Sequence, residues 1–586
     1  MSDFRIGDDD FLLDGRPFRI LAGALHYFRV HPDLWRDRIR KARQMGLNTI
    51  ETYVAWNAHA PREGEFDLSG GLDLGRFLDD VAAEGMHAIV RPGPYICAEW
   101  TNGGLPAWLF TSESVGVRRD EPRYLAAVDT YMRQLAPALV PRQIDRGGAI
   151  ILVQIENEYG AYGDDPVYLE KLVHLNRDIG LTVPFTTVDQ PTPEMLENGS
   201  IPGLHKTASF GSRSLDRLAT LRRHQPTGPL MCSEFWDGWF DHWGAHHHTT
   251  SVEESARDLD DLLGTGASVN VYMFHGGTNA GFTSGANDKG VYQALVTSYD
   301  YDAPLDEAGN PTAKYWAFRE VLGRYTALPE DAPSEASDAP VLDARLTSAV
   351  PLAAVAESLG TWAAFDHLPT MEDLGRYEGF ALYRAQIDVA GAGVLEFAEV
   401  RDRAVVSFNG APVGVLARDH HDRALALPAD ARGELEILLE DQGRVNYGPR
   451  IGEAKGLIGP AAVNGRPLTH WQAMALDLSD LSAVRDAAST IAGEPGALAG
   501  PAFGVGAFVL DEPADLFLST QGWGKGSVWI NGVNIGRYWS RGPQHTLYVP
   551  APLLRAGRNE IIVLELQAAR TDVRFVAAPD LGHTES

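Results

Sequence analysis

Eight short runs of strand character recur between about residues 18 and 325, and stretches with helical periodicity separate most of them. This alternation is typical of consecutive βα units, in which helices cover a sheet of parallel strands. Eight such units close into a (β/α)8 TIM barrel. The predicted strands span residues 19–28, 49–56, 87–95, 149–158, 183–189, 207–211, 229–234 and 268–274.

A doubly wound open sheet is the alternative α/β architecture for the same alternation. That fold binds nucleotides through a Gly-rich phosphate turn directly after its first strand. The sequence at this place is Ala22-Gly-Ala-Leu-His-Tyr27, which lacks such a turn. The N-terminal part of the chain is therefore predicted to form a barrel.

The composition changes at residues 326–340, which are rich in Pro, Ala, Ser, Glu and Asp and are typical of a linker. Beyond them, short alternating apolar runs indicate jelly-roll-like β-sandwich domains. Residues 406–414 and 528–536 each contain a strand, an Asn-Gly turn and a return strand, which favours two copies of a sandwich domain. The predicted domains are a catalytic barrel (1–325), a linker with connecting strands (326–374) and two β-sandwich domains (375–470 and 471–586).

The chain of 586 residues carries a formal net charge of −29. Nucleic acids and anionic membranes bind clustered Lys and Arg, so neither is expected as a partner. The acidic N-terminus lacks the features of a signal peptide and no segment has the length of a membrane span, so a cytoplasmic protein is expected. Cys97 and Cys232 fit a reducing compartment and lack zinc-site spacing. The triplet His246-His-His248 is interpreted as a solvated loop without a metal.

Two glutamates stand at predicted strand ends, Glu158 on the fourth strand and Glu234 on the seventh. Barrel enzymes place their reacting groups at these carboxyl ends, and a pair of carboxyl groups is the machinery of glycoside hydrolysis. Glu156 and Glu158 would point to the same side of a strand, and Glu158, nearer the end, is assigned as the proton donor. Glu234 is the candidate nucleophile. The alternative is that these carboxylates only form ion pairs in the barrel mouth.

Aromatic and polar residues collect at the other predicted strand ends. Sugars present apolar C–H faces and rings of hydroxyl groups, which aromatic rings and polar groups bind respectively. Core packing would explain any one of these aromatic residues, but their concentration at one face predicts a saccharide pocket. The residues are Tyr53, Cys97, Ala98, Glu99, Trp100, Asn157, Trp236, Trp239 and Tyr301.

Six segments, in order along the chain, resemble glycoside hydrolase family 35, the β-galactosidases of barrel-plus-sandwich type. The segments Asn446-Tyr-Gly-Pro, Lys455-Gly-Leu-Ile-Gly-Pro and Gly522-Trp-Gly-Lys-Gly also resemble the sandwich domains of that family. The similarity therefore spans nearly the whole chain. The six segments are Glu51-Thr-Tyr-Val-Ala-Trp-Asn, Arg91-Pro-Gly-Pro-Tyr-Ile-Cys-Ala-Glu-Trp, Gln154-Ile-Glu-Asn-Glu-Tyr-Gly, Ser233-Glu-Phe, Tyr272-Met-Phe-His-Gly-Gly-Thr-Asn and Thr297-Ser-Tyr-Asp-Tyr-Asp-Ala-Pro-Leu.

The resemblance implies that Glu158 is the acid/base and Glu234 the nucleophile. One residue departs from some relatives: Phe282 stands where they carry Tyr, which removes a hydroxyl contact but leaves a ring that would pack against the sugar. The residues that the resemblance implies as substrate-binding are Tyr53, Cys97, Ala98, Glu99, Asn157, Trp239 and Tyr301, with Phe282 as a further candidate.

The expected activity is retaining, exo-acting hydrolysis of terminal non-reducing β-D-galactosyl residues by double displacement, without a cofactor. An exo-β-glucosaminidase is one alternative, with Glu99 as partner for the amino group. A non-catalytic glycan-binding protein is another. The expected substrates are β-galactoside oligosaccharides or glycosides, and self-association as a homo-oligomer is an open expectation. The sandwich domains are expected to brace the barrel and shape its rim, with glycan binding as the alternative.

Overall fold

Eight parallel strands, each hydrogen-bonded to the next along the chain, close into a barrel. The computed structural model describes residues 2–111, 115–334, 338–491 and 495–584. Every barrel strand overlaps a run predicted from the sequence, so the predicted fold class is confirmed. The strands are β1 (Leu21–Leu25), β2 (Thr49–Tyr53), β3 (His87–Arg91), β4 (Ile150–Gln154), β5 (Phe185–Asp189), β6 (His205–Phe210), β7 (Met231–Trp236) and β8 (Ser268–His275).

Amphipathic helices pack on the outside of the barrel. In Trp35–Met45, for example, Trp35, Ile39 and Ala42 are fully buried, and the helix ends at Gly46, whose φ of 109° suits glycine. None of the helices in the described ranges has both the length and the apolar character needed to span a membrane. The α-helices of this part are Trp35–Met45, Trp56–His59, Leu74–Ala83, Pro122–Leu139, Pro166–Asp178, Pro193–Asn198, Ser214–His224, Val252–Gly264 and Ala313–Leu322.

A small antiparallel sheet precedes the barrel and closes its amino-terminal end. Its strands are Phe4–Ile6, Phe11–Leu13 and Arg16–Phe18. Phe11 is buried, and its ring meets the edge of His205, the first residue of β6, at a centroid distance of 5.8 Å. The opposite, carboxyl-terminal end of the barrel therefore stays available for a functional site.

The C-terminal half is built of antiparallel sheets, as the alternating runs predicted. A six-stranded and a four-stranded sheet enclose one apolar core. In spatial order, the six-stranded sheet contains Ala363–Phe365, Trp471–Ala475, Phe380–Asp388, Arg432–Glu440, Arg403–Phe408 and Ala411–Ala417, and the four-stranded sheet contains Ala424–Leu427, Gly393–Arg401, Gly456–Val463 and Arg466–Pro467.

A larger sheet of eight strands forms a second all-β unit with its own core. Two helices, Leu352–Leu359 and Ser482–Thr490, pack with residues of both units in a further cluster. In spatial order the eight strands are Val533–Trp539, Lys525–Ile530, Gly557–Glu565, Ala502–Leu510, Leu342–Pro351, Asp572–Val576, Leu516–Ser519 and Thr546–Val549, and Ala497–Ala499 pairs separately with Ala568–Arg570.

Strand pairing crosses the predicted boundaries of the sandwich domains. Leu342–Pro351, within the predicted linker segment, pairs with Ala502–Leu510 of the eight-stranded sheet. Trp471–Ala475, beyond the predicted end of the first sandwich, pairs with Phe380–Asp388 inside it. Such pairings join residues far apart in sequence, so local composition does not reveal them. Residues 335–337 of the predicted linker lie outside the described residues.

The repeated Asn-Gly motif forms two equivalent hairpins. Asn409 and Gly410 have φ values of 47° and 75°, and Asn531 and Gly532 have 49° and 87°, so both central residues of each turn are left-handed. In each hairpin the Asn Oδ1 accepts a hydrogen bond from the neighbouring strand, at 2.9 Å in both cases. The shared geometry supports the interpretation of the motif as an internal repeat.

The barrel and the first sandwich share a three-stranded sheet at the barrel mouth. Ala286–Asp288, in the segment after β8, pairs with Tyr292–Ala294 and, in parallel, with Val445–Tyr447 of the sandwich. The sandwich therefore extends its own backbone onto the carboxyl-terminal face of the barrel.

A buried cluster of charges lies next to this shared sheet. Asp402 is fully buried and accepts hydrogen bonds from Lys455 Nζ at 2.5 Å, Arg418 at 3.0 Å and the Tyr292 hydroxyl at 2.9 Å. Arg418 also binds Asp288 at 2.9 Å. Burial alone would raise the pKa of Asp402, but the charges of Lys455 and Arg418 lower it to about 2. The cluster thereby joins the two domains by charge-assisted hydrogen bonds.

We expect Asp402→Ala to destabilise this junction by about 3–5 kcal/mol, because it leaves the buried Lys455 without its nearest carboxylate. Urea unfolding followed by tryptophan fluorescence measures the effect. The double variant Asp402→Leu/Lys455→Met removes both charges and should recover much of the free energy of unfolding that Asp402→Ala loses. An unfolding midpoint for Asp402→Ala equal to that of the unchanged protein would contradict the expectation.

Candidate active site

A cavity opens at the carboxyl ends of the barrel strands and, with its mouth, encloses about 570 Å³. Segments from the barrel and from the first sandwich line it. The lining residues are Tyr53, Ile96, Cys97, Ala98, Glu99, Asn157, Glu158, Gln190, Glu234, Trp236, Trp239, Phe240, Tyr272, Asn287, Lys289, Tyr301 and Tyr447.

Glu234 stands near the end of β7 and is held by three side chains. The Tyr53 hydroxyl donates to its Oε1 at 2.8 Å, and Trp236 Nε1 donates to its Oε2 at 3.1 Å. The guanidinium of Arg91 donates to Oε1 as well. These contacts fix the carboxyl group and place a positive charge beside it, as a carboxylate nucleophile requires.

Arg91, the last residue of β3, is the centre of a buried polar network. It is fully buried and binds Glu51 Oε1 at 2.5 Å, Asn157 Oδ1 at 2.8 Å and the Ser233 carbonyl at 2.7 Å. The negative groups around it raise the pKa of the Arg91 guanidinium despite its burial. Burial raises the pKa of its partner Glu51 to about 7, although Arg91 opposes this shift.

The structure separates Glu156 from Glu158, which the sequence placed on the same side of a strand. The strand β4 already ends at Gln154, and both glutamates have left-handed backbones, with φ values of 58° and 44°. Glu156 turns away to form an ion pair with Arg118, at 2.9 and 2.8 Å. The same-side prediction was wrong because the extended geometry ends before these residues; the ion-pair alternative holds for Glu156, whereas Glu158 lines the cavity.

Glu158 has a different environment from that of Glu234. Its Oε1 accepts a hydrogen bond from the Ser209 hydroxyl at 2.7 Å. Burial raises the pKa of Glu158 to about 7, and the negative charge of Glu234 contributes to the shift. A carboxyl group with such a pKa is protonated in a large fraction of molecules at neutral pH, which suits a general acid.

The run Cys97-Ala98-Glu99 forms a left-handed turn on the cavity wall. The φ values are 55°, 53° and 52°, a conformation that costs energy in residues other than glycine and is enriched at functional sites. Arg29 donates to the Ala98 carbonyl and stabilises the turn. The side chain of Glu99 is thereby presented to the cavity.

Glu99 is the third carboxyl group of the cavity. It accepts a hydrogen bond from the Tyr299 hydroxyl at 2.5 Å, and Asn446 Nδ2 of the first sandwich lies 3.5 Å away. Burial raises the pKa of Glu99 to about 7, against the hydrogen bond from Tyr299 and the charge of Arg29. The neighbouring Cys97 thiol is also buried, which raises its pKa and keeps it protonated.

Aromatic rings form one side of the cavity. Trp239 remains 37% exposed and stacks on Phe240 at a centroid distance of 4.8 Å. Tyr301 lies behind it, buried, with its ring edge-on to Tyr272 at 5.3 Å. A large exposed ring at the mouth and buried rings beneath it offer the apolar surface that a sugar face needs.

Phe282 lies away from the cavity and is not placed to pack against a sugar there. Its ring meets Phe380 of the sandwich edge-on at 5.8 Å, and the Arg537 guanidinium lies 4.8 Å from its centroid. It belongs to an apolar cluster shared with the all-β units. Neither Phe282 nor Trp100 lines the cavity, whereas the other candidates do. The assignment of Phe282 as a substrate-binding residue stays a prediction that this placement does not favour.

Several lining residues were not singled out as site residues from the sequence. Gln190 follows β5, and Asn287 and Lys289 belong to the shared sheet and its turn. Tyr447 comes from the first sandwich, and the Lys289 ammonium lies 4.8 Å from its ring centroid. The motif Asn446-Tyr-Gly-Pro was a usable signal, but only the fold shows that it reaches the barrel mouth.

The histidine triplet and the two cysteines were examined in the sequence as possible metal or disulfide sites. His247 Nδ1 contacts Asp241 at 2.7 Å, and this hydrogen bond together with the charge of Asp241 raises the pKa of His247 despite its burial. In the part of the chain that the structure describes, no group of three or more His, Cys, Asp or Glu residues is arranged to hold a metal ion. Cys97 and Cys232 are both free thiols and both buried.

Three parts of the chain match models of known protein families. Residues 10–325 match the model of glycosyl hydrolases family 35, residues 369–477 match the first all-β domain of β-galactosidases, and residues 501–559 match the galactose-binding domain of β-galactosidases. The first model covers more than half of the chain. The chain therefore belongs to glycosyl hydrolases family 35 and is a glycoside hydrolase.

Curated relatives are similar over nearly their full length. A β-galactosidase of Bos taurus is 41% identical over 595 residues, covering 95% of this chain and 89% of the bovine protein. A β-galactosidase of Xanthomonas manihotis is 38% identical, covering 92% of this chain and 90% of its own length. A β-galactosidase of Homo sapiens is 41% identical, covering 99% of this chain and 91% of the human protein.

We expect kcat/KM for an aryl glycoside to fall as the pH rises through about 7. The pKa of Glu158 is raised to about 7, so its proton is present below that pH and is lost above it. Initial rates from pH 5 to 9 test this.

Glu158→Ala, assayed with a dinitrophenyl glycoside whose leaving group needs no proton, should lose this alkaline decline. A decline that persists in Glu158→Ala would assign it to another group.

Proposed function

We propose that this glycoside hydrolase is an exo-acting β-galactosidase that releases terminal non-reducing β-D-galactosyl residues with retention of configuration. The observation that carries the proposal is one cavity in which Arg91 binds Glu234 while burial raises the pKa of Glu158 to about 7. Two carboxyl groups with opposite protonation requirements are what double displacement needs. The β-galactosidase relatives support the choice of sugar.

In the first step, Glu234 attacks the anomeric carbon and forms a glycosyl ester. Glu158 gives its proton to the oxygen of the departing group, so that bond cleavage and protonation are coupled. Esterification removes the negative charge of Glu234, which is one of the causes of the raised pKa of Glu158. The pKa of Glu158 therefore falls, so its carboxyl group stays ionised and can act as the base in the next step.

In the second step, Glu158 accepts a proton from a water molecule as that water attacks the anomeric carbon. The ester bond to Glu234 breaks, and the sugar leaves with the configuration it had in the substrate. Arg91 and Tyr53 remain beside the released carboxylate and stabilise its returning charge.

The cavity is suited to a single terminal sugar. Its floor carries hydrogen-bonding groups from several strands, including Glu99 and Asn157, and Trp239 supplies the ring at its mouth. Glu99 and Asn157 would orient the hydroxyl groups of a sugar, and Trp239 would cover its apolar face. The limited volume of the cavity, about 570 Å³ with its mouth, supports exo action over binding within a polymer.

An exo-β-glucosaminidase remains the second candidate because Glu99 lines the cavity and could face an amino group. Its pKa of about 7 makes it neutral in a large fraction of molecules at neutral pH, which weakens it as a partner for an ammonium. A non-catalytic glycan-binding role gains no support from a site that separates the environments of Glu158 and Glu234 in this way.

We expect the protein to hydrolyse 4-nitrophenyl β-galactoside faster than the matching β-glucosaminide, and Glu234→Gln to reduce kcat by at least about 1,000-fold. Initial rates on both substrates measure this. Faster hydrolysis of the glucosaminide would contradict the proposed galactose specificity but would be compatible with the proposed mechanism.

Glu158→Ala supplies the matched control for the second carboxyl group. With a dinitrophenyl galactoside and added azide, it should form β-galactosyl azide, because azide attacks without a general base. A galactosyl azide of α configuration would contradict the retaining mechanism.

We also propose that the protein works in the cytoplasm. Support comes from its free buried thiols Cys97 and Cys232, which suit a reducing compartment. Fractionation of the producing cells tests this, and recovery of the protein outside the cytoplasm would contradict it.

A further inference from the structure

We propose that Ser209 is a positioning residue for Glu158: its hydroxyl holds one carboxyl oxygen and leaves the other oxygen to carry the proton that is transferred. Ser209 Oγ lies 2.7 Å from Glu158 Oε1, and the serine is 1% exposed. This role rests on the proposed double displacement and adds to it the residue that orients the acid/base.

The register of the barrel explains why Ser209 is in place. On the neighbouring strand β7, Cys232 pairs with Ala208 and Glu234 with Ser209, so two steps on β7 span one step on β6. This irregularity inserts an extra residue, Ser233, and brings Glu234 level with Ser209. Residues paired in register point to the same side of a sheet, so Ser209 stands beside the nucleophile and reaches across to the acid/base.

The hydrogen bond fixes which oxygen of Glu158 reacts. With the Ser209 hydroxyl donating to Oε1, we assign the acidic proton to Oε2. In the first step Oε2 gives this proton to the departing oxygen. In the second step the same Oε2 takes a proton from water, while Oε1 remains bound to Ser209. One hydroxyl therefore orients Glu158 in both steps.

The same bond affects the titration of Glu158. A hydroxyl that donates to a carboxylate favours the ionised form, so Ser209 lowers the pKa of Glu158 against the larger effect of burial. Other groups face Glu158 from the surrounding strands and from the sandwich, and the substitution of Ser209 changes none of these side chains chemically. These groups are Glu234, Arg91, Glu99, Cys97, Asp189 and Tyr447.

The test is the pH profile of kcat/KM for Ser209→Ala with 4-nitrophenyl β-galactoside. Without the hydroxyl the pKa of Glu158 should rise, and the alkaline limb should move up by about 0.5–1 pH unit. The kcat should fall about 5- to 50-fold, because Oε2 is no longer oriented. An alkaline limb at the position of the unchanged protein would overturn the proposal.

Two further variants separate positioning from packing. Ser209→Thr keeps the hydroxyl and should restore the alkaline limb. Thr207→Val removes another buried hydroxyl of β6, one that donates to the Thr187 carbonyl at 2.7 Å, and should leave the limb unchanged. A shift of equal size in Thr207→Val would mean that any disturbance of β6 moves the profile, which overturns the specific role of Ser209.

A second measurement does not depend on turnover of a galactoside. Infrared difference titration, with Glu158→Gln as the reference, follows the carboxylate band of Glu158 directly. Ser209→Ala should raise the titration midpoint by the same amount as the kinetic limb, and an unchanged midpoint would overturn the proposal. Failure of the unchanged protein to hydrolyse any galactoside would instead contradict the proposed function, and the titration would still decide the role of Ser209.

Discussion

The guanidinium of Arg91 is the interaction on which the site depends. Arg91 ends β3 and binds Glu51 on β2, Asn157 after β4 and both the side chain of Glu234 and the backbone of β7. One fully buried cation thus joins four parts of the barrel that carry catalytic and binding groups. Because a buried charge must be compensated, the surrounding groups are held at fixed distances, and this rigidity orients Glu234, the proposed nucleophile.

The division of labour between the two carboxyl groups follows from their surroundings. Glu234 receives hydrogen bonds from Arg91, Tyr53 and Trp236, which compensate a negative charge. Glu158 receives its bond from the neutral Ser209 and lies in an environment that disfavours ionisation. The same residue type is therefore suited to be the nucleophile at one strand end and the acid at another, because Arg91 donates a hydrogen bond directly to Glu234, whereas only a neutral hydroxyl donates to Glu158.

The first sandwich completes the cavity. Its strand Val445–Tyr447 pairs with Ala286–Asp288 of the barrel, and the buried cluster around Asp402 fastens this junction. Through it Tyr447 lines the cavity and Asn446 approaches Glu99. The sandwich therefore shapes the rim, which agrees with the bracing role expected from the sequence and makes the catalytic domain dependent on its neighbour.

The sequence by itself determined the barrel and singled out two glutamates that line its cavity, because βα alternation and strand ends are local patterns of apolar and polar residues. Tertiary structure decided what local patterns do not contain. Left-handed backbones at Glu156 and Glu158 send the two side chains to different partners, and a register irregularity sets Ser209 beside Glu234. Likewise, Phe282 turned to the sandwich while Tyr447 reached the cavity. These placements depend on contacts between residues far apart in the chain. Such contacts stabilise a side-chain position only after the domains have packed together.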